Sequence, residues 1–266
     1  MKIRELHTVI LSDCHLGTYG LHAKELLQYL KQINPRILIL NGDIVDIWAF
    51  RKRYFPDMHL EIIHEILRKV HNGTMVYYLP GNHDDLMRQF TEFRSGNIQI
   101  RDKLHLQIDG KDYWIFHGDV FDASVNTAKW LAKLGGKGYD WLIRINRFLN
   151  AVLKRMGKEP MSLSKKVKSN VKKALKFIDD FEQTAIDLAI KNDYDYVICS
   201  HIHTPTIKHI SNQKGSVIYM NSGDWVESLT SLEYKDGEWS LYEYKPDHYE
   251  ILNSFNITEE IKTFVE

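Results

Sequence analysis

Five short apolar runs in this chain end in side chains that can hold a cation. "VILSDCHLG" closes on Asp13 and His15, "RILILNGD" on Asp43, and "TMVYYLPGNHD" on Asn82, His83 and Asp84. "YWIFHGD" leads to His117 and "YVICSHIH" to His201 and His203, while a sixth run, "SVIYMNSGDW", ends with Asn221 and Asp224. A carboxylate or imidazole at the end of a buried run is costly unless something compensates it. Singly, each has an ordinary explanation: Asp43 could cap a helix starting near Ile44, and Asn82 could sit in a turn. Those explanations would have to be invoked five times, each at the end of a run. Carboxylate, imidazole and one amide oxygen together form the ligand set of divalent ions such as Mn, Fe, Zn or Co.

The elements that must position these groups follow from the runs themselves. Short, β-rich and bounded by abrupt polar ends, they read as buried strands. In Asp13-x-His15 and His201-x-His203 alternation points the first and third side chains the same way, so each pair can reach one centre. The same alternation turns Cys14 and Cys199 away. Between the first three strands, "HAKELLQYLKQI" and "HLEIIHEILRKV" carry helical periodicity, so the opening is βαβαβ with parallel strands. Ligands of open α/β sheets bind beyond the carboxyl ends of strands, where these residues stand. After Asp119 the strand rhythm stops for some seventy residues. Residues 120–192 therefore read as a helical insertion within a single domain spanning 1–266, and not as an independent unit.

With 266 residues and 44% hydrophobic content, the chain can build a proper core, which excludes a disordered protein. Two cysteines give no disulfide framework and fit a reducing compartment. The N-terminus lacks the pattern of a signal peptide, and no run reaches the length of a membrane span, so a soluble, cytoplasmic protein is expected. The net charge of zero conceals an asymmetry. Residues 120–176 hold fourteen Lys and Arg against Asp122, Asp140 and Glu159, a net of +11. Apolar helical faces in the same tract, with Trp141 and Phe148 among them, give a basic amphipathic character suited to an anionic membrane surface or to an ordinary packed helical pair.

The ordered set Asp13-x-His15, Gly42-Asp43-x-x-Asp46, Gly81-Asn82-His83-Asp84, His117 and His201-x-His203 resembles the motifs of the calcineurin-like metallophosphoesterases over nearly the whole chain. The resemblance implies an α/β fold, a β-sandwich flanked by helices (αββα), with two divalent metal ions at the strand ends. Asp13, His15, Asp43 and His203 would bind one ion, and Asp43, Asn82, His117 and His201 the other, Asp43 bridging. His83 would stand on the leaving-group side as a proton donor, oriented by Asp84. Ser200 stands where the family usually has Gly, and only a local adjustment is expected. Within the family the chain is most similar to the UDP-2,3-diacylglucosamine diphosphatases of lipid A synthesis. That similarity implies pyrophosphate cleavage to UMP and a lipid 1-phosphate, commonly with manganese, at the inner-membrane surface. Arg51, Arg53, Asp122, Trp141 and Phe148 are the candidate substrate contacts. Many of those diphosphatases have Arg where this chain has His83, which leaves room for phosphodiester or phosphomonoester substrates. A nuclease is disfavoured because aromatic residues do not alternate with basic ones in the insertion. A non-catalytic scaffold is disfavoured because every ligand is retained.

Overall fold

Side-chain alternation along the strands sorts the apolar residues into three cores, and those cores define four layers. The computed structural model describes residues 3–47, 54–124 and 163–245. Strands β1 (Arg4–Leu11), β2 (Ile33–Asn41) and β3 (Met75–Leu79) are the first three apolar runs. Helices α1 (Ala23–Gln32) and α2 (Asp57–His71) lie between them in the chain. The three strands pair in parallel, as the βαβαβ pattern requires. The chain continues through β4 (Arg94–Ser95), β5 (Ile98–Ile100), β6 (Lys103–Ile108) and β7 (Lys111–Phe116). Helix α3 (Leu163–Lys191) follows, then β8 (Tyr196–Cys199), β9 (Thr206–Asn212), β10 (Gly215–Asn221), β11 (Thr230–Lys235) and β12 (Glu238–Glu243).

One sheet has the order β12-β11-β1-β2-β3-β5-β4 and the other β6-β7-β8-β10-β9. In β1, Val9 and Leu11 join the core beneath α1 and α2, whereas Ile10 points between the sheets. In β8, Val197 and Cys199 face α3 while Ile198 faces the other sheet. Strands buried on both faces read as continuous apolar runs, which is why the sequence showed runs and not alternation. The result is the expected α/β sandwich of helices, sheet, sheet and helix.

Each covering helix is amphipathic for a visible reason. In α1, Leu26, Leu27, Tyr29 and Leu30 turn inward, with Glu25 in the first turn and Lys31 in the last, the favourable sense for the helix dipole. It stops where Ile33 becomes extended, two residues before Pro35. In α3, Phe181, Ala185, Ile186, Ala189 and Ile190 form one buried stripe against Phe116, Val197, Val217 and Tyr219. This helix falls within the 120–192 segment. The tract holding Trp141 and Phe148 lies outside the described residues, as do Arg51 and Arg53. No helix among the described residues is long and apolar enough to cross a membrane.

Phe181 couples this packing to the strand ends. Its ring lies so close to Gly118 that a Cβ there would come within 2.6 Å of Cζ. Phe181→Ala should therefore open a cavity under both α3 and the turn after β7. A loss of about 3–5 kcal/mol is expected for a fully buried Phe, read from the midpoint of equilibrium urea unfolding.

Candidate metal centre

The carboxyl ends of β1, β2 and β3 in one sheet and of β7, β8 and β10 in the other converge. Each of the first five hands its chain to a turn carrying a candidate ligand, and β10 to the turn that carries Asp224. The turns are tight enough to force unusual backbone. Asp13, His15, Asp43, His201 and His203 all have φ between 50° and 54°. Non-glycine residues adopt this left-handed region at a cost, and such strain concentrates at functional sites. The turns after β1 and β2 are laced together: Asp13 N–H donates to Gly42 O at 3.0 Å and His15 N–H to Asp43 O at 2.9 Å. Close approach also explains two glycines. A Cβ on Gly42 would lie 2.1 Å from His117 Nδ1, and one on Gly81 would lie 2.3 Å from Asp43 Oδ1.

Six of the seven expected ligands fall into compact groups, and the seventh, Asn82, precedes His83, whose N–H donates to Asp43 Oδ1 at 2.7 Å. Ligand atoms of Asp13, His15 and His203 lie within 4.8 Å of one another, and so do those of Asp43, His117 and His201. A third group of the same compactness, His15, Asp43 and His83, joins the two. His203 Nε2 is 2.8 Å from Asp13 Oδ1, and His117 Nε2 is 3.5 Å from Asp43 Oδ2. The His201 and His117 rings meet at 3.3 Å between Nδ1 and Nε2.

The charges explain how such a cluster is tolerated. Burial raises the proton affinity of Asp13, and Asp43 adds to that, but the His203 and His117 imidazoles prevail and hold its pKa below the ordinary value. Burial likewise opposes ionisation of Asp43, which His117, His15 and His83 hold far below the usual carboxylate range. Burial disfavours a charged ring at His117 and His203 as well. Asp43 outweighs it for His117, pushed up to about 10, and Asp13 outweighs it for His203, pushed up to about 9. His15 moves the other way because burial dominates.

Behind the ligands stand residues whose role the sequence did not disclose. His117 Nδ1 donates to Asn41 O at 2.9 Å, which leaves Nε2 facing Asp43. His203 Nδ1 lies 3.5 Å from Asp224 Oδ2. The other oxygen of Asp224 caps a turn by accepting from the N–H of Val226 at 2.8 Å. Backing of a ligating imidazole by a carbonyl or carboxylate fixes its orientation and tautomer. Asp224 was visible at the end of the sixth run, and only its fold-dependent proximity to His203 gives it this role.

One expectation is corrected. Asp84 does not orient His83. Its carboxylate is fully buried and accepts from Gly81 N–H at 2.6 Å, Ile44 N–H at 2.9 Å and the Tyr78 hydroxyl. It pins the Asp43 turn to the Gly81 turn. Its pKa is raised by burial despite these donors. The carboxylate facing His83 is Asp46, with Oδ2 3.0 Å from Nδ1. Asp46 stood in the Gly42-Asp43-x-x-Asp46 motif, so the signal was present without its assignment. Ser200 also does more than fill space. Its Oγ accepts from Asn41 Nδ2 at 2.8 Å and meets Ser222 Oγ at 3.1 Å. Cys14 and Cys199 are buried in the two helix-facing cores, where burial pushes their thiols up, and neither joins the cluster. Asp122 lies in the 3-10 helix Asp119–Ser124.

The fit of these residues to cations rests on atoms that lack donors. Oδ2 of Asp13 and Oδ1 of Asn82 are buried without a hydrogen bond, while Asp13 Oδ1 is paired with His203 Nε2 at 2.8 Å. Unsatisfied buried acceptors of this kind are rare and costly in proteins. Two of them beside four imidazoles describe a place where a divalent ion would supply the missing positive charge.

The model of the calcineurin-like phosphoesterase family matches residues 6–205. Among similar proteins, the UDP-2,3-diacylglucosamine hydrolase of Klebsiella pneumoniae subsp. pneumoniae is 22% identical over 249 residues, covering 92% of this chain and 98% of that one. The enzyme of the same name from Wigglesworthia glossinidia brevipalpis is 25% identical, covering 86% and 90%. That from Aliivibrio fischeri is 24% identical, covering 88% and 97%. Among solved structures, an archaeal phosphodiesterase resembles the chain with TM-score 0.43 and 14% identity over 89% of this chain and 98% of that one. With the family model spanning all five motifs, the chain is a metal-dependent phosphoester hydrolase belonging to the calcineurin-like phosphoesterase family.

Proposed function

We propose that this enzyme hydrolyses the pyrophosphate bond of UDP-2,3-diacylglucosamine or a closely similar lipid-linked nucleotide, giving UMP and a lipid 1-phosphate. The observation that carries the hydrolytic part is Asp43, which groups on one side with His117 and His201 and on the other with His83 and His15, the latter itself grouped with Asp13 and His203. The substrate class is supported by the names of the similar proteins and by the +11 charge of residues 120–176. A basic tract of that size would favour anionic lipid at a membrane surface.

Asp13, His15, Asp43 and His203 would hold one divalent ion, and Asp43, Asn82, His117 and His201 the other, with manganese the expected metal. Two such ions would supply Lewis-acid activation of water and neutralisation of phosphoryl charge. The chain's own part is geometric and protonic. Asn41 and Asp224 hold the His117 and His203 rings, so that Nε2 of each faces the centre. His83, a third exposed, is free to face substrate and is set by Asp46. With Nδ1 engaged by that carboxylate, Nε2 is the nitrogen placed to deliver a proton to a departing oxygen.

The His83–Asp46 pair also favours a second reading. A sugar-phosphate leaving group needs charge neutralisation more than a proton, whereas an alkoxide needs an acid, so phosphodiesters or monoesters of the same family remain substrates to compare. The deciding experiment assays UDP-diacylglucosamine, nucleotide diphosphate sugars, phosphodiesters and monoesters side by side with manganese present. Release of UMP from the lipid-linked nucleotide should far exceed the other rates, and a preference for a soluble diester would overturn the lipid assignment.

The acid role has its own test. His83→Ala and Asp46→Asn should each slow alkyl esters by about 10²–10⁴-fold and spare activated aryl esters. The double variant should be no worse than His83→Ala alone. Equal losses on both ester types would leave His83 only a charge-stabilising role.

Proton linkage provides a further prediction that does not depend on turnover. The raised pKa values of His117 and His203 stabilise the metal-stripped fold fully below the ordinary histidine value of about 6.5. That stabilisation is lost as pH rises through about 9 and about 10. Loading manganese near neutral pH should therefore expel about two protons, and affinity should rise with pH across this window. Calorimetry in buffers of different ionisation heat counts the protons. A count of zero would remove His117 and His203 from the ligand set.

A further inference from the structure

Arg88 lies in the 3-10 helix Asp85–Phe90, directly after the turn that carries Asn82 and His83. A guanidinium has five N–H donors, and here every one is engaged. Nε donates to Asp102 at 3.0 Å, and Nη1 to Asp85 and to Asp119, both at 2.9 Å. Nη2 donates to Pro80 O at 3.0 Å and to the second oxygen of Asp119 at 2.9 Å. A side chain so committed has no donor left for a substrate phosphate. Its obvious role for an arginine beside a phosphoesterase centre is thereby removed.

What the five bonds join is more informative. Pro80 precedes the Asn82 turn, and Asp119 follows His117 by two residues. The Asn82 turn hangs from β3 in one sheet and the His117 turn from β7 in the other, so no strand pairing connects them. Asp119 is the best shielded of the three carboxylates, 10% exposed against 63% for Asp85 and 54% for Asp102. The two-pronged contact with Asp119 is consequently the least screened by water, and it fixes angle as well as distance.

We propose that Arg88 is a positioning residue of the metal centre. Through its fork to Asp119 and its bond to Pro80, it sets Asn82 against His117 and so tunes the half of the centre formed by Asn82, His117 and His201. The inference rests on the dinuclear reading above. It requires that the Asp13, His15 and His203 half be indifferent to Arg88, because the five bonds of that guanidinium go to Pro80, Asp85, Asp102 and Asp119, and it is His201 whose ring meets that of His117.

The test uses manganese alone, with free ion followed by its electron paramagnetic resonance during titration. His203→Ala leaves the Asn82 half as the better site, and His201→Ala leaves the Asp13 half. Arg88→Lys keeps the charge but cannot reproduce the fork. In the His203→Ala background it should weaken manganese about 10–100-fold, the usual effect of removing a residue that supports a ligand. In the His201→Ala background it should leave affinity unchanged. Asp119→Asn should reproduce the pattern independently. Arg68→Lys, which disrupts a similar fork to Glu65 on α2, controls for general stability and should alter neither half. Equal weakening of both halves, or of neither, would overturn the role of Arg88 while leaving the dinuclear reading intact. Uptake of fewer than two ions by the unmutated protein would instead sink that reading, and the Arg88 role with it.

Discussion

Two carboxylates, Asp13 and Asp43, are buried side by side at the junction of two sheets. Everything near them is arranged around that electrostatic problem. Each raises the cost of ionising the other, and burial adds to it. The imidazoles of His117 and His203 offset the penalty by charge, yet Oδ2 of Asp13 still lacks a hydrogen bond. Imidazoles that must be protonated to balance carboxylates are also the groups that must lose protons to bind a cation. The fold thus holds a place where proton and divalent ion compete for the same lone pairs.

Meeting that constraint dictates the architecture. No single strand or helix could place seven such side chains in one region, but the carboxyl ends of five strands from two facing sheets can. Convergence forces tight turns, and the left-handed backbone at Asp13, His15, Asp43, His201 and His203 is the consequence. Asp and His tolerate that conformation better than most residues, and the turns are held by bonds such as Asp13 N–H to Gly42 O. Strain at the centre is sustained because three buried apolar cores lie behind it.

Much of this was legible in the sequence, because strands buried on both faces announce themselves as uninterrupted apolar runs. The ligand positions were legible for the same reason, each following the abrupt end of a run. What could not be read was the second layer. Asp46 and His83 are thirty-seven positions apart, whereas Asp84 is adjacent to His83 and looked the natural partner. Neighbouring residues in an extended turn point to opposite sides, so adjacency misleads where only the path of two turns brings distant groups together. Asn41, which supports His117 through its carbonyl, leaves no side-chain pattern at all. The short strands β4 and β5 and the antiparallel β9, β11 and β12 carry weaker periodicity, and their pairing depends on tertiary contacts.

The two sheets are fastened differently along their length. In the middle they meet through Ile10, Ile39, Ile115, Ile198 and Met220, whose contacts are strong in sum but weakly directional. At the end that bears the ligands, the apolar layer gives way to a hydroxyl and amide chain. Ser12 Oγ meets Ser222 Oγ at 2.7 Å, Ser222 meets Ser200, and Asn41 donates to Ser200 and to Phe116 O. Each such bond adds only about 1 kcal/mol net, but a buried donor or acceptor left unmade costs more. Slippage of one sheet over the other by a fraction of an ångström is tolerable among methyl groups and intolerable here. The polar end therefore fixes the register that the apolar middle leaves loose, and it does so directly beneath the residues whose spacing a metal ion would sense. A hydroxyl at position 200 is part of that fastening, which a glycine could not supply.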